Sequence, residues 1–299
     1  MERGLPNFLV VGAAKSGTTS LFNYLNQHPQ IFIPAIKECR FFSQMPRNQK
    51  GLGAEKFQNE GIRDWEEYQR LFQGRKESRL GDISNDYLYF YQKSIQNIKA
   101  YLGSDVKIII SLRNPIDRAY SNYLHAIREG WENLSFEEAI KAEQTRIAQG
   151  WAWPYHYVKV GLYYRQVKSY LSSFKDVKIF LFEDFKDTKL LLDNVVEFLE
   201  VPPFNFSTDK LYNVSGYPKS KLLHKFLLKD FLIKRIISFL IFKTFSEDVR
   251  KRLRAKILEK NLKKEPMRPE TRRYLREVYK DDILKLQELI GRDLTSWLA

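Results

Sequence analysis

The apolar positions of the chain follow two alternating rhythms. NFLVVGA at 7–13 is a β-rich run ending in small residues, and the next segment, SLFNYLNQH, sets Leu21, Phe22, Tyr24 and Leu25 at helical spacing. Strand, tight loop and helix are the expectation. VKIIISL at 106–112 is an unbroken β-branched run of the kind found in a strand covered on both faces. Asn114-Pro115 then opens a helix carrying Ala119, Tyr120, Tyr123 and Leu124, with Pro115 suited to its first turn. The pattern returns at VKIFLFE, 177–183, ahead of the helical LLLDNVVEFLEV. Such alternation predicts an α/β fold, P-loop-like and three-layered, around a central, mostly parallel sheet.

From about Ser220 the strand signal stops. Helices are predicted over 220–243, 247–263 and 269–291, with the break at Pro266 and Pro269. The expectation is one domain over 1–299, with a helical extension at about 219–292 packed on the sheet. At 299 residues and 43% hydrophobic content, the chain can bury a full core without a metal or disulfide. A single cysteine, Cys39, excludes an intrachain disulfide, and the four histidines lack Cys or His partners at zinc-ligand spacing. With no basic and apolar export signal at the start, a cytoplasmic location is expected. The longest apolar run, FLIKRIISFLIF at 231–242, contains Lys234 and Arg235 and falls short of the ~20 apolar residues of a membrane span. It reads as a buried or surface-docking helix, which leaves peripheral membrane contact through 220–245 open.

The net charge of +14 is concentrated at one end: residues 219–292 hold 22 Lys and Arg against 10 Asp and Glu. An anionic ligand or surface fits that segment, and so does a solvated helical face. The +14 charge and the many aromatics make a non-enzymatic nucleic-acid-binding protein an alternative reading, but no nucleic-acid partner is expected, because the charge is spread along helices that also carry Glu and Asp, with no RNA-module signature.

The candidate chemistry begins at Gly12-Ala13-Ala14-Lys15-Ser16-Gly17-Thr18-Thr19-Ser20, a glycine-bracketed loop between strand and helix. Such a loop can wrap N–H groups around phosphate oxygens, with the helix N-terminus adding a favourable dipole. It is a poor triphosphatase loop: the Walker pattern wants Lys after the second glycine, where this chain has Thr18, and its lysine sits earlier, at Lys15. A magnesium-dependent kinase or NTPase, the alternative enzyme reading, also prefers Asp at a neighbouring strand end. VKIIISL ends instead in Leu112-Arg113. A guanidinium there, with Ser121 two turns into the next helix, can clasp a second phosphate. Two anion sites suit a nucleotide phosphorylated at both ends of its ribose.

These segments resemble a known family. VVGAAKSGTTSLFNYLNQHPQI is similar to the 5′-phosphosulfate loop of sulfotransferases that use 3′-phosphoadenosine 5′-phosphosulfate (PAPS), and SLRNPIDRAYSNYLH is similar to their 3′-phosphate strand and helix. KECRFFS, GDISNDYLY and LQELIGRDLTSWL resemble the bacterial and heparan-sulfate-type branch. The resemblance implies that Lys15, Ser16, Gly17, Thr18, Thr19 and Ser20 hold the 5′-phosphosulfate, and that Arg113 and Ser121 hold the 3′-phosphate. Ser215, Gly216 and Lys219, with Lys221, would help enclose that phosphate, although a glycine turn before a basic helix reads equally well. The implied reaction passes a sulfonate to an acceptor hydroxyl or amine by in-line displacement, releases 3′-phosphoadenosine 5′-phosphate (PAP) and needs no metal.

The resemblance also assigns the base to Glu38, whose neighbours Lys37 and Arg40 oppose its protonation, so that burial would have to raise its pKa. Asp82 is the second candidate, with a loop or cap carboxylate as its ordinary reading. Arg40 stands where many relatives carry His, and it can contact an anionic acceptor or the sulfonate. Ser84 matches the family pattern after Asp82, whereas Asn85 replaces a proline. Trp153 and Tyr157, with Trp151 and Tyr155, line an acceptor cleft or simply pack the core. His28 reads as a capping or packing histidine, and His125, His156 and His224 show no chemical partner in the sequence.

Overall fold

The computed structural model describes residues 4–46, 48–55, 61–208, 217–218, 262–263 and 265–299. Its centre is a five-stranded sheet of β1 (Phe8–Gly12), β2 (Ile31–Phe32), β3 (Arg79–Ile83), β4 (Lys107–Leu112) and β5 (Val177–Leu181). The strands are ordered β2-β3-β1-β4-β5, and every adjacent pair is parallel.

Successive strand residues point to opposite faces, and the apolar runs use both. From β1, Leu9 and Val11 enter one apolar cluster while Phe8 and Val10 enter another. From β4, Ile108, Ile110 and Leu112 join the first and Ile109 the second. All of β1 and β4 is buried, which is why these two segments lack the alternation of a half-exposed strand.

The second cluster is covered by α1 (Thr18–Leu25), through Leu21 and Leu25, and by α7 (Thr188–Phe198), through Leu191, Val195 and Val196. The first lies under α3 (Tyr91–Leu102), α4 (Pro115–Arg128) and α6 (Tyr163–Leu171), with α2 (Trp65–Arg70) and α5 (Phe136–Ala148) at its margins. α8 (Pro269–Ile290) packs on α4 and α6 through Leu275, Tyr279, Ile283 and Leu286. Asp282 of α8 accepts from the backbone N–H groups of Tyr163 (2.7 Å) and Tyr164 (3.1 Å), satisfying orphan donors at the start of α6. The last predicted helix of the extension therefore docks on the sheet domain. The helix predicted over 220–243, most of the one predicted over 247–263, the 220–245 segment, and Ser215, Gly216, Lys219 and Lys221 lie outside the described residues. The end of the second helix is corrected: Leu262–Lys263 is a short strand, antiparallel to Tyr217–Pro218. Among the described residues, no helix is long and apolar enough to cross a membrane.

Two strands of the central sheet were not foreseen. β2 has only two residues, and β3 reads RLGDI, in which Arg79, Gly81 and Asp82 break the apolar run. Gly81 sits against the Phe8 ring, where any Cβ would collide, so packing rather than propensity makes this strand.

Candidate active site

The connections from β1 and β4 leave the sheet in opposite directions, since β2 lies on one flank and β5 on the other. Ligand crevices in open α/β sheets form at such a point, beyond the carboxyl ends of the strands. A cavity of about 320 Å³ opens there.

Its floor is the loop from Gly12 to Gly17. Gly17 caps α1 at φ 92°, a conformation that favours glycine, and a Cβ there would fall 2.7 Å from the Phe185 ring. β4 fastens the loop: Ala13 N–H donates to the Ser111 carbonyl (2.6 Å), Ser111 Oγ to the Ser16 carbonyl (2.5 Å), and Arg113 Nη1 to the Lys15 carbonyl (3.3 Å). Ser16 is fully buried beneath the loop, whereas Lys15, Gly17, Thr18, Thr19 and Ser20 line the cavity. The α1 N-terminus thus brings first-turn N–H groups and a partial positive charge to the same wall.

The second wall is the start of α4. The Asn114 side chain accepts from Ile116 N–H (3.0 Å), and Pro115 occupies the first turn. The Arg113 guanidinium lies over the Phe182 ring at 4.5 Å, and Tyr163 donates to the Arg113 carbonyl. Arg113 and Ser121 both line the cavity together with Lys15.

The third wall carries Glu38 and Arg40. Of five non-glycine residues with positive φ among the described residues, three are Lys15 (69°), Glu38 (68°) and Arg40 (56°), all lining the cavity. Each such conformation costs on the order of 1–3 kcal/mol, so strain gathers at the cleft. The surrounding structure holds it: Glu38 N–H donates to the Ile83 carbonyl (3.0 Å), and Arg40 N–H to Ser84 Oγ (3.1 Å).

Electrostatics follow from this crowding. Burial, reinforced by Arg128, Arg113 and Lys37 and opposed by Glu38, lowers Lys15 to about 7. Glu38 accepts from Lys37 Nζ (2.9 Å), Arg40 Nη2 (2.6 Å) and Asn85 Nδ2 (2.6 Å). Burial pushes its carboxyl up, but Lys37 and Arg40 outweigh burial and hold it at about 2. The expectation that burial would lift Glu38 toward neutrality is therefore corrected: the cations prevail.

Asp82 lies elsewhere. It is fully buried on β3, where the Tyr68 and Tyr87 hydroxyls donate to Oδ2 (2.9 and 2.7 Å) and Ser84 Oγ to Oδ1 (2.8 Å). Burial raises its pKa, and it does not line the cavity. Ser84 is also buried, supporting Asp82 and the Arg40 backbone rather than facing the cleft. Of the aromatic segment, only Trp153 reaches the cavity. Tyr157 donates to Glu132, and Arg146 pairs with Glu132 while lying over Trp151 and Tyr155, so Tyr155 and Tyr157 are core and Trp151 packs half-buried against it.

Sequence reasoning overlooked Asn85, Arg128, His125 and Trp131, all of which line the cavity. Ser121, His125 and Arg128 are spaced four and three apart, one face of a helix, and that spacing was readable. His125 does have a partner: Arg128 Nη2 lies 2.7 Å from its Nδ1, and because a guanidinium only donates, Nδ1 is the unprotonated nitrogen. His28 is the structural histidine expected, with Nδ1 accepting from Gln30 N–H and Nε2 facing the Pro202 carbonyl. His156 meets Tyr89 and Trp151.

A parallel sheet of this order, with a glycine loop and a strand-end arginine around one crevice, defines a protein built to hold a multiply charged anionic nucleotide. The model of the sulfotransferase domain matches residues 5–287, and the chain belongs to that family. A crystal structure of a sulfotransferase from Alicyclobacillus acidocaldarius superposes with a TM-score of 0.78 at 34% identity, covering 99% of this chain and 100% of that one. Human carbohydrate sulfotransferase 15 is 25% identical over 71% of the chain, and human bifunctional heparan sulfate N-deacetylase/N-sulfotransferase 3 is 27% identical over 98%. The matches span only 47% and 31% of those two longer proteins.

Proposed function

We propose that this chain transfers a sulfonate from PAPS to an acceptor hydroxyl or amine. One observation carries the reading: Lys15 on the β1 loop, Arg113 and Ser121 at the β4–α4 junction, and the Glu38 carboxylate all line a single cavity. PAPS supplies an activated sulfonate and departs as PAP. Lys15 and the first turn of α1 hold the 5′ side, and the Lys15 ammonium stabilises charge on the leaving phosphate oxygen. Arg113 and Ser121 hold the 3′-phosphate and so select this nucleotide over ATP. Glu38 accepts the acceptor proton. We take the step to be metal-free, because Lys15, Arg40, Arg113 and Arg128 neutralise anionic charge in a cleft whose one carboxylate, Glu38, is already engaged by cations.

The acceptor is a carbohydrate, lipid or small-metabolite hydroxyl or amine. A carbohydrate is favoured by Trp131 and Trp153, which give the cleft apolar faces for a sugar ring, and by the names of the two human relatives. The kinase and NTPase reading is not favoured, since Thr18 and Arg113 stand where it needs Lys and Asp.

Calorimetry without magnesium tests the donor: PAP should bind about a hundredfold more tightly than ADP, the worth of a charge-assisted phosphate clasp. Equal affinities would remove the assignment. A sulfur-labelled transfer assay against de-N-sulfated heparin, a long-chain alcohol and a phenol then identifies the acceptor class.

A further inference from the structure

Asn85 is a cleft residue that neither phosphate grip accounts for. Its Nδ2 lies 2.6 Å from Glu38 Oε1. A carboxylate only accepts, so the amide must turn its nitrogen to Glu38. Its Oδ1 is left buried without a hydrogen-bond partner among the described residues. Glu38 alone therefore fixes the orientation of this side chain. The backbone beneath is held firmly: Ser84 N–H donates to the Val10 carbonyl (3.1 Å), Leu88 N–H to the Val11 carbonyl (2.7 Å), and the Asn85 carbonyl would lie 3.0 Å from any Cβ at Gly12.

The three donors divide unequally between the carboxylate oxygens. Oε1 receives Asn85 Nδ2 and Lys37 Nζ, which fill its two lone pairs, whereas Oε2 receives only Arg40 Nη2. The donors also differ in kind. Lys37 and Arg40 are cations that an incoming anion can recruit, while a neutral amide has far less reason to leave Glu38. The other charged groups facing Glu38 are Lys15 from the β1 loop and Asp86 from the segment after β3.

We propose that Asn85 is a positioning residue for sulfonate transfer: it saturates Oε1 of Glu38 and makes Oε2 the atom that takes the acceptor proton. The proposal rests on Glu38 as the base. In the step, the acceptor O–H or N–H bond gives its proton to Oε2, the freed electron pair bonds sulfur, and the sulfur–oxygen pair leaves with the phosphate.

The test follows the Glu38 carboxyl by NMR in protein carrying carbon-labelled glutamate, assigned with Glu38→Gln, in wild type, Asn85→Leu and Asn85→Asp. Loss of a donor to the charged form should raise the Glu38 midpoint by about one pH unit in Asn85→Leu, and by about two in Asn85→Asp, where a like charge is added. PAP affinity should stay unchanged in both variants, which also reports that they fold. Turnover of the acceptor found in the panel, or of water as the default acceptor, should fall about tenfold in Asn85→Leu, with its acid limb displaced upward. An unmoved midpoint in a PAP-binding Asn85→Leu overturns the proposal alone. Wild-type turnover in Glu38→Gln overturns the base assignment, and this proposal with it.

Discussion

Glu38 and Asp82 are two carboxylates joined through Ser84, which bonds the backbone beside one and the side chain of the other. Glu38 opens on the cleft and is held ionised by cations; Asp82 is sealed in the core, is raised by burial and is served by neutral hydroxyls. Burial penalises the charge in both cases, so the partners decide the outcome. A carboxylate among cations at the wall of a cleft is available for chemistry, whereas one ringed by tyrosine hydroxyls braces the scaffold.

The largest expected contrast is in turnover. Glu38→Gln should lower the transfer rate by about 10²–10⁴-fold, the usual worth of a general base, with PAP affinity intact by calorimetry. Asp82→Ala should act on the fold instead. It strands the buried Tyr68 and Tyr87 hydroxyls and should cost about 2–4 kcal/mol in urea denaturation while PAP still binds. A rate collapse in a well-folded Asp82→Ala protein would reverse the two roles. Smaller is the effect of Arg113→Ala, expected to weaken PAP by about ten- to a hundredfold without moving the Glu38 titration.

The smallest effect concerns Lys15, for which the same neighbours work in the opposite sense. Held near 7 by burial and by Arg128, Arg113 and Lys37, its amine should take up a proton when a phosphate arrives. PAP affinity should therefore fall as pH rises above about 7, by at most about tenfold per unit, and level off below it. Lys15→Arg, which keeps its charge, should flatten that slope. A wild-type affinity independent of pH between 6 and 9 would show that Lys15 does not titrate on binding.

How far the sequence disclosed this arrangement differs by element. β1, β4 and β5 were legible because continuous β-branched runs are needed where both faces are covered. β3 was not, because Gly81 exists to admit Phe8 and Asp82 to receive hydroxyls, demands set by distant residues. The phosphate loop and Arg113 were legible because local spacing creates them. The partners of Glu38 were only half so: Lys37 and Arg40 adjoin it in the chain, but Asn85 comes from 47 positions away. Tyr157 and Trp153 looked alike in sequence and differ only in which way the backbone turns them.

The contact between Gly17 and Phe185 has a bearing on biosynthesis. The cradle leaves the ribosome well before the ring that closes against its glycine, which is made 168 residues later. A partly synthesised chain carries the loop without the surface that shapes it. Capture of the nucleotide thus waits on the segment that follows β5, so a truncated product that ends before Phe185 should not sequester the donor.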